Sequence, residues 1–140
     1  MEQALSLSGP GLSDIRIADI GTGAGIIAIT LALNLPQAEI IATDISARAL
    51  ALAQENAVKH RVADRISFAH LDLMEGLGRF DLICANPPYV CEEELETLPS
   101  ARYEPRLALN GGADGMHTIE RFLASASDHL RTPGILLMEI

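Results

Sequence analysis

Ile15-Arg16-Ile17-Ala18-Asp19-Ile20-Gly21-Thr22-Gly23-Ala24-Gly25 decides how this chain is read. The β-branched and small apolar residues up to Ile20 have strand character, and glycines at alternate positions then turn the chain sharply. The apolar run that follows, to about Asn34, has helical length, and Pro36 ends it. Outward from this βαβ opening the rhythm repeats. Glu39 to Thr43 reads as a second strand, and Ser46 caps a helix through about Lys59 whose apolar face is Leu50, Ala53 and Ala57. Ile66 to Ala69 is a short third strand, and Asp72 to Gly78 a loop or short helix. Phe80 to Ala85 is the fourth strand, closed by two prolines that cannot continue a ladder. Met116, Ile119, Phe122, Leu123, Ala126 and Leu130 share one helical face, and Gly134 leads into a fifth strand, Ile135 to Ile140. Strands alternating with helices predict an α/β fold with a doubly wound, mostly parallel sheet.

The 140 residues make one domain, not two. Residues 15–140 form it, and residues 1–14 read as a remnant of a linker or helix. Ten Lys and Arg against 19 Asp and Glu give a net charge of −9. That balance argues against broad binding to nucleic acid or to an anionic membrane, both of which rest on clustered basic residues. The longest apolar stretch, Ala24 to Leu33, falls short of the ~20 residues a membrane span needs. The N-terminus has no basic region of a secretory signal. Cys84 and Cys91 lie outside any metal or redox spacing, which suits a reducing cytoplasm. His60, His70, His117 and His129 are scattered without ligand spacing, so no metal is expected. Val90 to Gly115, rich in acids, prolines and glycines, is long for a connection in a compact domain and reads as an excursion on the substrate side. Within it Glu92, Glu93, Glu94 and Glu96 read as a solvated face.

The turn from Asp19 through Gly21, Thr22, Gly23, Ala24 and Gly25 sits where a strand becomes a helix. The backbone can approach a ligand there, and the helix N-terminus offers N–H groups to negative charge. Ile26 stands where a dinucleotide fingerprint would carry its third glycine, which speaks against a nicotinamide enzyme. Asp44, with Ile45 after it, ends the second strand about 20 residues later, where an acid beside the glycine loop can hydrogen-bond both hydroxyls of a ribose. Asp72 holds the equivalent place after the third strand, where an acid and a neighbouring N–H, such as that of Leu73, suit the amine and ring nitrogen of adenine. All three features fall on one sheet edge, so the expected ligand contains adenosine.

Asn86-Pro87-Pro88-Tyr89 follows the fourth strand. Asn86 offers a side-chain carbonyl, and the rigid Pro87-Pro88 backbone holds a peptide carbonyl in place, an acceptor with no donor. Two acceptors grip both hydrogens of a planar NH₂ group, and Tyr89 covers its flat face. An amide or aromatic amine nitrogen is a poor nucleophile because its lone pair is delocalised. Hydrogen bonds that strengthen as the nitrogen pyramidalises stabilise the developing positive charge.

The glycine turn, the acid after strand two and Asn86-Pro87-Pro88-Tyr89 together resemble an S-adenosylmethionine-dependent amino methyltransferase. Tyr103-Glu104-Pro105-Arg106-Leu107-Ala108-Leu109, Gly111-Gly112-Ala113-Asp114-Gly115-Met116 and Leu136-Leu137-Met138-Glu139-Ile140 narrow it: they resemble the release-factor glutamine N5-methyltransferases of the HemK/PrmC type. The resemblance implies a class I, Rossmann-like fold that uses S-adenosylmethionine in the cytoplasm. Gly21 to Gly25 would take the methionine end of the cofactor, Asp44 the ribose and Asp72 or Leu73 the adenine. Asn86, Pro87, Pro88 and Tyr89 would take the glutamine amide of a Gly-Gly-Gln loop in a peptide chain release factor, with Asn86, Pro87 and Tyr89 carrying the catalysis and Asn86 also facing the cofactor. The family further has a helical domain before the first strand and a closing hairpin of two strands after the fifth. By that pattern the 140 residues are the cofactor-binding part of a larger enzyme, lacking the last two strands, with an unpaired edge at strand five that predicts self-association or partial disorder there. Two alternatives share parts of this reading. An N6-adenine methyltransferase of DNA or RNA uses the same amine grip, and the chain by itself could bind cofactor without catalysis.

Overall fold

In the computed structural model, which describes residues 14–97 and 106–140, five strands form one parallel sheet. β1 (Arg16–Ile20), β2 (Glu39–Asp44), β3 (Ile66–His70), β4 (Phe80–Ala85) and β5 (Leu130–Met138) lie in the order β3-β2-β1-β4-β5. β1 is central, with Ile17 to Ile20 opposite both Ile40 to Thr43 and Leu82 to Ala85. A central parallel strand is covered on both faces, which is why Ile17 to Ile20 are all buried.

The helices divide between the two faces. α1 (Ile26–Asn34) and α2 (Ala47–Lys59) cover one, where Ala28, Leu31, Ala32 and Ala57 join Ile17, Ile40, Ala42 and Leu82 in the core. α3 (Glu92–Leu95) and α4 (Arg106–Leu109) are single turns in the connection after β4, and α5 (His117–His129) covers the other face with Phe122 and Ala126 against Ala18, Ile20, Phe80 and Ile83. The doubly wound arrangement expected from the sequence is therefore present.

α1 carries no basic residue in its last turn. Its terminal carbonyls are met from outside instead, by the Arg65 guanidinium, which donates to the carbonyls of Ala32 and, at 2.7 Å, of Leu35. Ser46 caps α2 as expected, its side chain accepting from the Ala49 N–H.

Residues 72–78, expected as a loop or short helix, form a loop with a turn at 73–76. Two local expectations need correction. The strand expected from Ile135 begins at Leu130 and ends at Met138, with a register irregularity opposite Phe80 and Leu82. On α5 only Ile119, Phe122 and Ala126 are buried, while Met116 and Leu123 are exposed, because the sheet covers a narrower sector than the apolar stripe occupies. Residues 1–13 and the Tyr103-Glu104-Pro105 motif lie outside the described residues. Among those described, no helix is long and apolar enough to cross a membrane.

Candidate active site

The sheet order reverses between β1 and β4, and at such a point the connections leave in opposite directions and open a crevice at the strands' carboxyl ends. The glycine turn leaves β1 there, Asp44 ends β2, Leu71 to Leu73 leave β3 and Asn86 leaves β4. The residues selected from the sequence thus share one sheet edge.

Asp19 organises the turn from inside. Its side chain is buried, and Oδ2 accepts from the Thr22 hydroxyl at 2.6 Å and from the Ala28 N–H at 3.0 Å. Ala28 is the third residue of α1, so this carboxylate satisfies one N–H that the helix leaves without a partner in its own backbone. Burial pushes the carboxyl up to about 6, opposed by the bonds from Thr22 and Ala28, with nearby Asp44 adding a smaller upward push. Burial also pushes the neighbouring Cys84 thiol up to about 12, with Asp19 adding to it, so the thiol behaves as a small hydrophobe.

The turn is also tied to its neighbours. The Thr22 N–H donates to the Thr43 carbonyl at 2.8 Å, and the Asn56 side-chain amide donates to the Ala24 carbonyl at 3.0 Å. Asp44 accepts the Gly23 N–H on Oδ2 at 2.9 Å and the Ser46 N–H on Oδ1 at 2.8 Å. One carboxylate therefore joins the turn to the start of α2. The glycines differ in purpose. A Cβ at Gly21 or Gly23 would meet no heavy atom within 4 Å, so both border open space. Gly25, with φ +83°, caps α1, and a Cβ there would stand 3.0 Å from the Cβ of Ala53 on α2. Gly25 lets the two helices pack.

The adenine-side candidates are held more loosely. Leu73 has φ +56°, and its carbonyl accepts from the buried Thr43 hydroxyl at 3.0 Å. Asp72 is half-exposed and pairs with Arg121 of α5 at 2.6 Å. Ile45 is exposed beside Asp44, and its carbonyl is 2.8 Å from His70 Nε2.

On the β4 side, Pro87 is buried, Pro88 partly so, and Asn86 and Tyr89 are exposed. The tip of β4 is braced by the Glu139 N–H, which donates to the Ala85 carbonyl at 3.1 Å. Among the described residues no three His, Cys, Asp or Glu side chains form a metal-binding group. Thr43, Asn56 and Arg121 were not foreseen as parts of this edge. Asn56 left a signal, a polar residue on the face of α2 defined by Ala53 and Ala57. Arg121 left none.

An open glycine turn, an acid at the next strand tip and a doubly wound sheet are shared by nucleotide-binding α/β folds; the likeness to solved methyltransferase structures makes this the class I S-adenosylmethionine-dependent methyltransferase fold, and the residues present fit that cofactor. The family model described as "Methyltransferase small domain" matches residues 6–100, and the chain belongs to that family. It is similar to a release factor glutamine methyltransferase of Moorella thermoacetica, 46% identical over 127 residues, which cover 89% of this chain and 45% of that protein. It is similarly close to a ribosomal protein uL3 glutamine methyltransferase of Neisseria meningitidis serogroup A, 44% identical over 124 residues, covering 87% of this chain and 41% of that one. The crystal structure of TrmN from Thermus thermophilus superposes with a TM-score of 0.70 at 27% identity, over 97% of this chain and 36% of that chain. The chain spans less than half the length of the two curated relatives.

Proposed function

We propose that this chain is the cofactor-binding and catalytic part of a cytoplasmic enzyme that methylates the N5 amide of a protein glutamine, with the Gly-Gly-Gln motif of a peptide chain release factor as acceptor. The observation that carries the reading is the exit of Asn86-Pro87-Pro88-Tyr89 from β4 onto the edge that holds Gly21, Gly23 and Asp44. The release factor methyltransferase of Moorella thermoacetica supports the acceptor. The uL3 glutamine methyltransferase of Neisseria meningitidis, similar to nearly the same degree, makes a glutamine of that ribosomal protein the second candidate. A net charge of −9 weighs against the adenine of a nucleic acid.

S-adenosylmethionine, when bound, supplies a methyl group on a sulfonium centre that makes a good leaving group. Gly21, Thr22, Gly23, Ala24 and Gly25 hold its methionine end, Asp44 and Ile45 its ribose, and Asp72 and Leu73 its adenine. A carboxylate accepts several hydrogen bonds, so Asp44 serves a ribose while keeping the Gly23 and Ser46 N–H groups. Asp19 acts through the turn by fixing Thr22 and the start of α1. The Asn86 side-chain carbonyl and a peptide carbonyl of the Pro87-Pro88 segment accept from the two hydrogens of the glutamine amide, and Tyr89 covers its plane. These acceptors orient the nitrogen and stabilise the positive charge that grows on it, so no strong base is needed before attack.

The test is methyl transfer by the complete protein from labelled cofactor to a release factor and, separately, to ribosomal protein uL3. Asn86→Ala is expected to lower turnover by about 10²- to 10³-fold, the scale seen when one charge-stabilising hydrogen bond is removed. Labelling that survives Asn86→Ala, or no label on a glutamine of either acceptor, overturns the reading.

A further inference from the structure

Gly111-Gly112-Ala113-Asp114-Gly115 contributes to the resemblance, yet nothing in the proposed reaction uses it. The structure places it directly against the loop that does. Val90, the residue after Tyr89, forms a parallel bridge with Asn110. The Val90 N–H donates to the Leu109 carbonyl at 3.0 Å, the Gly111 N–H to the Val90 carbonyl at 2.9 Å, and the Glu92 N–H to the Gly112 carbonyl at 3.1 Å. The segment also holds its own shape. Asn110 Oδ1 accepts from the Gly112 N–H at 2.8 Å, and the Gly111 carbonyl accepts from the His117 N–H, at the start of α5, at 3.0 Å.

The tightest contact is at Gly115. This residue is buried with φ +77°, and a Cβ added to it would lie 2.4 Å from the Tyr89 carbonyl oxygen and 3.5 Å from the Cys91 nitrogen. The obstruction is backbone, which cannot swing aside as the end of a side chain does. Asn86 and Tyr89 are exposed, so side-chain packing holds them little.

We propose that the Gly111–Gly115 segment positions the Asn86–Tyr89 loop, with Gly115 as the positioning residue whose missing side chain lets the Tyr89 backbone seat against it. The proposal rests on the glutamine amide being gripped by that loop. A side chain at 115 pushes the Tyr89 carbonyl outward and carries the acceptor groups with it, and misplacing reacting groups by about 1 Å costs on the order of 10²-fold in rate.

Gly115→Ala tests this against Gly76→Ala. Gly76 has nearly the same φ, +76°, but a Cβ there meets no heavy atom within 4 Å, so it reproduces the positive-φ strain without the collision. In the complete protein Gly115→Ala is expected to lower kcat by about 10- to 100-fold, to speed hydrogen exchange at the Val90 and Gly111 amides, and to leave affinity for S-adenosylmethionine unchanged. Gly76→Ala is expected to leave kcat and that exchange unchanged. Equal kcat in the two variants, or exchange at Val90 and Gly111 unaffected by Gly115→Ala, overturns the proposal. If the unsubstituted protein methylates no glutamine, the functional reading fails, and exchange at Val90 and Gly111 still decides whether Gly115 holds the loop. If Gly115→Ala does not fold, Gly111→Ala takes its place. Its Cβ would lie 2.5 Å from the Gly115 carbonyl oxygen and displace that backbone from Tyr89, so unchanged kcat and exchange there also overturn the proposal.

Discussion

The two sides of the crevice are built by different means. The turn after β1 is pinned by side chains: Asp19 holds Thr22 and Ala28, Asp44 holds Gly23 and Ser46, and Asn56 holds Ala24. The loop after β4 is held by backbone against backbone, through Val90, Leu109, Gly111 and Gly112, with Gly115 supplying room. The first side is framed by buried and part-buried polar side chains. The second keeps the Asn86 and Tyr89 side chains free and takes its order from main-chain pairing.

The largest effect expected of this contrast is on pH dependence, and it belongs to the pinned side alone. Burial raises Asp19 from 3.8 to about 6, so between those values the folded protein keeps a proton that the unfolded chain has released. The carboxyl therefore favours folding below about pH 4, and that contribution is lost as pH climbs through 6, a change of about 3 kcal/mol. Urea unfolding at steps from pH 4 to 7 should show the unsubstituted protein losing stability relative to Asp19→Asn over that window. A difference between the two that does not vary with pH would refute the buried titration.

Next in size is Gly25→Ala. Strain at φ +83° and a Cβ pressed to 3.0 Å from Ala53 should lower stability by about 2 kcal/mol. Because Gly25 belongs to the turn proposed to hold the cofactor, affinity for S-adenosylmethionine should fall with it, unlike the unchanged affinity expected of Gly115→Ala. Calorimetry and thermal unfolding on one sample compare the two. Cofactor affinity unaffected by Gly25→Ala would erase the contrast between the sides.

The smallest effect concerns the tie between them. Arg121 of α5 reaches Asp72 at 2.6 Å, but the side chains are 47% and 42% exposed, so water screens the pair. Arg121→Ala should change stability by less than about 1 kcal/mol. A loss of several times that in denaturant titration would mean the two sides depend on each other.

What could be read from the sequence follows the same division. The strand, turn and helix around Gly21, the Ser46 cap and the placing of Asp44 depend on residues close in sequence, and the structure shows each of them. Where the Asp19 carboxylate ends up was not legible, because its partner Ala28 N–H becomes available only once β1 and α1 pack together. Nor was the role of Gly115, since what it avoids is a carbonyl 26 positions earlier in the chain. Met116 and Leu123 misled for a third reason: helical periodicity marks a stripe, and only the facing sheet sets how wide a strip of it is covered.

The Val90–Asn110 bridge also closes the intervening chain into a loop whose two ends are held side by side. Closing a flexible loop twice as long costs only about 0.6 kcal/mol more. A change in the length of the connection between Val90 and Asn110 therefore costs little, while the bridge itself still seats the end of the Asn86–Tyr89 loop.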